Sequence, residues 1–343
     1  MDYKYFFFLP LLLCLSCQKE DLNNLEDSFT VRRNGADMPA YVYGNATNKN
    51  FLVYLHGGPG GTGLGIRSGW QETIEDQYGV VYWDQRGSGM SQGHLSEDNL
   101  NVAEIIKDVT ALVQVLKHKY GEDINLFLMG HSWGGTLGSA VLTADNGAAQ
   151  DLFKGWIHAS AGYDWCQIWI EEIDNFKSIA EAQIGQGNEV AYWESGIELA
   201  NDIDAASCQD FRLNTEGYKA EGILQNSGVI NPHDTSSPFF QSEIFKNNQS
   251  ITNRNLVKTN AFFDKELPTL DLTDDLPMIT LPTLVLHGKY DLAVPHTIGV
   301  SYYENIGSTE KEMVSFEKSG HQLHSTESAV FAAAVLAFME RYK

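Results

Sequence analysis

Residues 124–138 have the sequence INLFLMGHSWGGTLG, which combines an apolar run, a sharp turn and the start of a helix. The run 124–129 is short and apolar, which is typical of a strand buried on both faces. The residues that follow match the pattern Gly-x-Ser-x-Gly, with Ser132 at its centre. Small residues at Gly130 and Gly134 let the chain turn tightly between strand and helix, which exposes the serine hydroxyl. The segment therefore predicts a nucleophilic serine at the carboxyl edge of a sheet.

Strand-like and helix-like segments alternate on both sides of this motif. Short apolar runs predict strands at Phe29–Arg33, Ala40–Gly44, Phe51–Leu55, Val80–Trp83, Trp156–Ala159, Thr283–His287 and Met313–Phe316. Helical spacing of apolar residues predicts helices at Leu100–Tyr120, His296–Glu304 and Thr326–Tyr342. This alternation predicts an α/β fold with a mostly parallel sheet flanked by helices. Residues 162–280 hold no clear strand, so we expect a mainly helical cap between the two parts of the core, 29–161 and 281–343.

A serine hydroxyl needs a base within hydrogen-bond reach, and that base needs a carboxylate to orient it. Where the serine lies on a strand–turn–helix motif, the acid and then the histidine follow it along the chain. Asp291 follows the strand predicted at 283–287, and His321 follows the strand predicted at 313–316. His324 is the competing base. We favour His321 because it comes directly after a glycine in the loop, whereas His324 already adjoins the last helix.

Two N–H donors for the oxyanion are also expected. One is the backbone of Trp133, the residue after the nucleophile. The other is Gly57 or Gly58 in the stretch His56–Gly61, which follows an early strand and lets the backbone approach a ligand closely. No Gly-Lys-[Ser/Thr] follows this stretch, which excludes a P-loop, and no metal-binding motif is present. The sequence implies neither a cofactor nor a metal.

The N-terminus has a different character from the rest of the chain. Lys4 precedes an apolar run that is too short to span a bilayer and suits a signal peptide. The end of this run resembles a bacterial lipoprotein cleavage site, which predicts removal of residues 1–16 and lipidation of Cys17. Residues 17–28 then form a polar tether. We expect an exported lipoprotein, held by its lipid at a membrane in the periplasm or on the cell surface.

The composition and net charge of the chain limit the classes of molecule that it is expected to bind. The chain has 343 residues and a formal net charge of −22, which would repel a phosphate backbone and disfavours nucleic acid. Gly has no fixed period, and no mid-chain apolar run is long enough to span a membrane. Outside the N-terminal segment, the chain has two cysteines, Cys166 and Cys208. They either form a disulfide in an oxidising compartment or are buried separately as thiols, and the sequence leaves both possibilities open.

Three motifs together resemble a known family. His56–Gly60 is the first, the Asp-Gln-Arg-Gly-Ser-Gly stretch at 84–89 is the second, and Gly130–Gly135 is the third. They are similar to motifs of α/β-hydrolase-fold serine hydrolases, and in particular of the proline iminopeptidases. The resemblance implies release of an N-terminal residue, proline favoured, from a small peptide or amide. It also implies a cap carboxylate that binds the substrate's free amine, for which Glu194 in the segment 192–196 is the candidate.

Several alternatives stay open at this point. Glu194 is otherwise a solvated residue on a cap helix, as most helical charges are. The same triad also suits an esterase or lactonase that acts on small acyl compounds, because the cap sequence does not reveal the shape of the pocket. A binding protein on an inactive hydrolase fold is the remaining reading. A complete serine–acid–histidine order together with an oxyanion loop argues against it.

Overall fold

The structure is a computed structural model that describes residues 21–67, 70–96, 98–204, 207–234 and 243–343. Its described strands are β1 (Leu25–Arg33), β2 (Ala36–Gly44), β3 (Asn50–Leu55), β4 (Gly79–Trp83), β5 (Gln92–Gly93), β6 (Asn125–His131), β7 (Gly155–Ala159), β8 (Thr283–Gly288) and β9 (Lys311–Phe316). They form one sheet in the order β1-β2-β4-β3-β6-β7-β8-β9, with β5 added beside β2. Every pair from β4 to β9 is parallel, and β1, β2 and β4 are antiparallel neighbours. The predicted α/β-hydrolase architecture is confirmed.

The first hairpin differs in its bounds from the sequence prediction. Strand β1 begins at Leu25, which is buried, so residues 25–28 of the predicted tether belong to the sheet. Buried and exposed residues alternate along this edge strand, and its polar side chains lie in solvent. The start of the strand therefore has the polar sequence that is expected of a tether. The turn between the two strands consists of Asn34 and Gly35, with φ of 41° and 78°. Asn-Gly suits such a turn because both residues tolerate positive φ.

Helices cover both faces of the sheet. The described α-helices are α1 (Gln71–Glu75), α2 (Val102–Tyr120), α3 (Trp133–Gly147), α4 (Trp165–Gly185), α5 (Val190–Asp202), α6 (Arg212–Asn226), α7 (Glu243–Glu266), α8 (His296–Asn305), α9 (Leu323–Thr326) and α10 (Ser328–Tyr342). Helices α2, α3 and α8 pack on one face, and α1 and α10 pack on the other. As a result, the central strands are almost entirely buried, which explains why their sequences are continuous apolar runs. These strands are β3, β4, β6, β7 and β8.

Helices α4 to α7 form the cap, and the part of residues 162–280 that the structure describes contains no strand. Phe176, Trp193 and Leu213 form a small apolar core of their own inside it. Leu292, from the loop after β8, joins that core, so the cap packs directly on a loop of the α/β domain.

Parallel pairing brings the functional loops to one edge. Leu55 pairs with Gly130 at the ends of β3 and β6, and Gly288 pairs with Phe316 at the ends of β8 and β9. The carboxyl ends of parallel strands all meet at that edge, where ligands of open α/β sheets bind. Within the described residues, no helix is long and apolar enough to cross a membrane. Residues 1–20, including Cys17, lie outside the described part, so lipidation there stays a prediction.

Candidate active site

Ser132 lies in the turn between β6 and α3, with φ of 56° and ψ of −128°. A non-glycine residue held in such a conformation is strained by about 1–3 kcal/mol. A Cβ atom on Gly130 would lie 2.1 Å from the carbonyl oxygen of Gly134. A Cβ atom on Gly134 would lie 2.0 Å from the carbonyl oxygen of Leu55. Close backbone approach therefore requires both glycines of the motif, and the turn presents Ser132 to a pocket.

Asp291 and His321 are hydrogen-bonded to each other in the loops that follow β8 and β9. Nδ1 of His321 lies 2.9 Å from Oδ2 of Asp291 and 3.1 Å from Oδ1. Asp291 also accepts bonds from the N–H groups of Ala293 and Val294, at 2.9 and 2.8 Å. Because a carboxylate only accepts, Nδ1 of His321 carries the proton and Nε2 is left as a base. His321 lines the same pocket as Ser132.

The surroundings favour an ionised acid and a basic imidazole. Burial raises the pKa of Asp291, but the charge and hydrogen bond of His321 outweigh burial and lower it. Burial lowers the pKa of His321, but the charge and hydrogen bond of Asp291 and the charge of Glu221 outweigh burial and raise it. An imidazole whose pKa is raised by a buried carboxylate takes up a proton more readily than a free histidine.

The neighbouring histidines lack such a partner. His324 lies in the short helix α9, and its Nδ1 has no hydrogen-bond partner among the described residues. Burial lowers the pKa of His324 well below its usual value. His131 donates from Nε2 to the carbonyl oxygen of His321 at 2.9 Å, and burial lowers its pKa to about 3. Both therefore stay neutral near pH 7, and the geometry favours His321 over His324 as the base.

The glycine-rich loop after β3 lies against the serine. A Cβ atom on Gly57 would be 3.1 Å from Cβ of Ser132. Gly58 has φ of 124°, and a Cβ atom there would lie 2.7 Å from the backbone nitrogen of Gly60. Trp133 is the first residue of α3, where backbone N–H groups have no partner inside the helix. Gly57 thus lies against the Ser132 side chain and Trp133 follows it directly, so the backbone segments predicted to supply oxyanion donors adjoin the nucleophile.

The Asp-Gln-Arg-Gly-Ser-Gly stretch at 84–89 is held in place by buried hydrogen bonds. Asp84 accepts hydrogen bonds from the backbone of Gly63 and Met90, both at 2.7 Å. Arg86 forms a bidentate pair with Asp108 of helix α2, at 2.7 and 2.8 Å, and both side chains are fully buried. These bonds fix the chain after β4 without touching the pocket, so both residues have structural partners.

The pocket above Ser132 has a volume of about 270 Å³. Core residues including His56, Gly57 and His131 form its floor, and Tyr218 and Leu256 reach it from cap helices α6 and α7. None of its described lining residues is an aspartate or glutamate. In the described part of the chain, no group of three or more His, Cys, Asp or Glu side chains could hold a metal ion.

Comparison with known proteins places the chain in a family. The model of the "Serine aminopeptidase, S33" family matches residues 49–206. A proline iminopeptidase from Clostridium botulinum is 37% identical over 284 residues, which cover 81% of this chain and 86% of that protein. The chain belongs to the proline iminopeptidase family. It is therefore an α/β-fold serine hydrolase, as its sequence motifs indicated.

A further relative and a structural neighbour are less similar to the chain. A probable aminopeptidase of Bacillus subtilis, YbaC, is 28% identical over 288 residues, covering 82% of this chain and 86% of that protein. An esterase from Exiguobacterium antarcticum superposes with a TM-score of 0.58 at 18% identity, covering 91% of this chain and 98% of that one. At that identity the likeness concerns the fold alone.

Glu194, the predicted amine-binding residue, has no contact with the described part of the pocket in this family member. It is exposed on α5 and is not among the described residues that line the pocket. Its neighbours Trp193 and Gly196 are buried against the cap core, so the helix turns its apolar face inward and Glu194 outward. A role of Glu194 in binding the substrate's amine therefore stays a prediction, for which the described part of the structure shows no contact.

Two other cap carboxylates lie close to the acid–histidine pair. Glu221 of α6 accepts hydrogen bonds from the backbone nitrogens of His321 and Leu292. Burial and the nearby Asp291 raise the pKa of Glu221 to about 7. Glu172 of α4 is buried and accepts a hydrogen bond from Asn214, and burial raises its pKa well above the usual value. Sequence reasoning missed both, although Glu221 lies on the buried face of an amphipathic helix, which is an available signal.

The cap also contains a disulfide. Cys166, at the start of α4, is bonded to Cys208, which precedes α6, with a Cα–Cα distance of 5.0 Å. Of the two readings left open by the sequence, the structure has the bonded one. The bond joins two cap segments that are 42 residues apart in the chain.

Proposed function

We propose that this chain is a serine aminopeptidase that releases an N-terminal residue, proline favoured, through an acyl-enzyme on Ser132. The observation that carries the proposal is the Asp291–His321 hydrogen bond beside Ser132 in one pocket. Membership of the proline iminopeptidase family supports the choice of substrate. The small pocket volume, about 270 Å³, suits a single small residue on the acyl side of the scissile bond.

Acylation begins with Ser132. Nε2 of His321 takes the hydroxyl proton as the oxygen attacks the scissile carbonyl carbon, and the carbonyl electron pair moves to its oxygen. Asp291 keeps Nδ1 protonated and stabilises the imidazolium that forms. N–H groups of Trp133 and of Gly57 or Gly58 stabilise the oxyanion. When the tetrahedral intermediate collapses, His321 returns the proton to the leaving amine.

Deacylation repeats these steps with water. His321 takes a proton from the water molecule that attacks the acyl carbon, and the same donors hold the second oxyanion. The proton then passes to Oγ of Ser132, which leaves as the free amino acid departs. The enzyme is regenerated without any cofactor.

One observation favours a second candidate, an esterase-type hydrolase of small acyl compounds. A free ammonium in a partly dry pocket requires a carboxylate partner, and no described lining residue supplies one. Glu221, a cap carboxylate that contacts the backbone of His321, is occupied by backbone N–H groups. The triad chemistry is the same for both candidates, so the substrate alone distinguishes them.

The experiment compares three substrates on the purified full chain: a prolyl arylamide, its N-acetylated counterpart and a short-chain nitrophenyl ester. Aminopeptidase activity predicts cleavage of the free-amine arylamide and little of the acetylated one. Cleavage of the ester alone would discard the peptidase and keep the triad. The Ser132→Ala variant should lose at least about 10⁴-fold of kcat with any of them. Full activity in that variant would remove the acyl-enzyme from the proposal.

We also propose export and lipidation at Cys17. The apolar run before Cys17 supports export. The Cys166–Cys208 disulfide supports it independently, since such bonds persist in oxidising compartments. Mass spectrometry of the protein from its own cells should find an acylated Cys17 at the N-terminus, and a Cys17→Ser variant should lack the lipid. An unprocessed N-terminus would contradict the proposal.

A further inference from the structure

One face of cap helix α6 packs against the backbone of the loop that carries Asp291. Asn214, Gly217 and Glu221 share this face because they are spaced by three and four residues. Nδ2 of Asn214 donates to the carbonyl oxygen of Ala293 at 3.0 Å. A Cβ atom on Gly217 would lie 2.3 Å from the carbonyl oxygen of Leu292. The helix therefore approaches this loop as closely as a glycine permits.

Glu221 extends the contact to the second catalytic loop. Its Oε1 accepts from the backbone N–H of Leu292 at 3.0 Å and of His321 at 2.9 Å. Its Oε2 accepts from the same His321 N–H at 3.0 Å. A Cβ atom on Gly320 would lie 2.3 Å from the carboxyl carbon of Glu221. One carboxylate thus joins the residue after Asp291 to His321 itself.

We propose that Glu221 is a positioning residue, which holds the acid loop and the histidine loop in register so that the imidazole faces Ser132. This inference rests on the triad of the proposed function. Glu221 is buried, is not among the described residues that line the pocket, and uses both oxygens on backbone donors. Loop amides satisfied by one buried carboxylate lose the freedom to shift independently, and small shifts of a base are costly in rate.

The charge of Glu221 has a second effect through His321. The groups that face this imidazole are Asp291, Glu221, Tyr218, His131, His287 and His324. Burial keeps the three histidines neutral by lowering each pKa, and burial raises the pKa of the Tyr218 hydroxyl. Glu172 faces Asp291 from α4, and burial raises its pKa as well. Among the described residues, the charge of Asp291 therefore acts on His321 throughout the neutral pH range, and Glu221, whose pKa is raised to about 7, adds its charge as it ionises near neutral pH.

Two substitutions separate the reach of the carboxylate from its charge. Glu221→Gln keeps the length and removes the charge, and Glu221→Asp keeps the charge and shortens the side chain. Both should lower kcat by about ten- to hundred-fold, for the prolyl arylamide and the nitrophenyl ester alike. Glu221→Gln should also move the acid limb of kcat/KM down, by up to about one pH unit, because the negative charge that Glu221 carries near His321 once it has ionised is lost. Glu221→Asp should move the limb less than half as far.

Glu216→Gln is the matched control. Glu216 lies on the same helix, contacts Lys219 and Tyr192 and touches neither catalytic loop. It should keep kcat and the pH profile unchanged.

Distinct results would overturn the proposal. A rise in KM confined to free-amine substrates, with the acid limb in place, would make Glu221 an amine-binding residue. Unchanged kinetics in both variants would leave it without a role in positioning. If both variants fail to fold while Glu216→Gln folds, the carboxylate is a general structural element of the cap. Failure of the aminopeptidase assignment is separate, because wild type would then cleave only the ester and the Glu221 effect would still be measurable on it.

Discussion

The side-chain oxygen of Gln85 accepts a hydrogen bond from the indole nitrogen of Trp133 at 2.9 Å. The amide nitrogen of the same side chain donates to the carbonyl oxygen of His56 at 2.9 Å, and the Gln85 backbone donates to Nε2 of His56 at 3.2 Å. One buried amide thereby connects the loop after β3 to the first residue of α3. These are the two segments that supply oxyanion donors in the proposed mechanism.

We expect Gln85→Met to weaken both the fold and the oxyanion site. It leaves the His56 carbonyl and the Trp133 indole N–H buried without this partner, which costs about 2–4 kcal/mol of unfolding free energy. Loss of register between the two donor segments should lower kcat roughly ten-fold, with KM little changed. Urea denaturation and ester kinetics measure the two effects. Gln92→Glu, on an exposed strand, is the control, and unchanged kcat in Gln85→Met would contradict the prediction.

The pH dependence should report His321. Its pKa is raised above the usual value of about 6.5, so the neutral base is present only at higher pH and lost as pH falls. We expect kcat/KM for the ester to rise with pH through a midpoint above about 6.5. Burial lowers the pKa of His56 to about 4 and that of His131 to about 3, so neither explains a limb there. A midpoint near pH 4 would show that another group controls the rate.

The strand core was predictable because its physical signal is local. β3, β4, β6 and β8 are buried on both faces, so each appears as a short apolar run, and the predicted bounds differ from the structure by at most two residues. The meeting of Ser132, Asp291 and His321 at one edge follows from parallel pairing alone. The predicted β1 was too short because buried residues alternate with exposed polar residues along this edge strand, so no continuous apolar run marks its start.

The cap was not predictable in the same way. Glu221 reaches His321 across 100 residues of chain, and this contact depends on how α6 packs rather than on its own periodicity. Glu194 illustrates what a short motif match leaves open. A short motif match identifies a residue type, but neighbouring positions on a helix point in directions about 100° apart, so Trp193 can be buried and Glu194 exposed.

We expect Glu194→Gln to leave aminopeptidase activity within about two-fold of wild type, because exposed side chains away from a site rarely matter. KM and kcat for the free-amine prolyl arylamide are the decisive measurements, with the ester as a reference substrate. A rise in KM for the arylamide alone would restore Glu194 as the amine-binding residue and show that α5 approaches the pocket in the working enzyme.

Reduction of the Cys166–Cys208 bond should destabilise the protein. Closing a loop of 42 residues removes entropy from the unfolded chain, which is worth at most about 4 kcal/mol. The bond also ties the start of α4 to the segment before α6, and these helices hold the catalytic loops through Asn175 and Glu221. We therefore expect reductant to lower the urea midpoint and to make activity disappear at a lower urea concentration. The Cys166→Ser/Cys208→Ser double variant should have the urea midpoint of the reduced protein, and reductant should not change that midpoint. Equal midpoints with and without reductant would mean that the bond adds nothing to stability, and that the noncovalent contacts between the cap and the catalytic loops hold the cap in place.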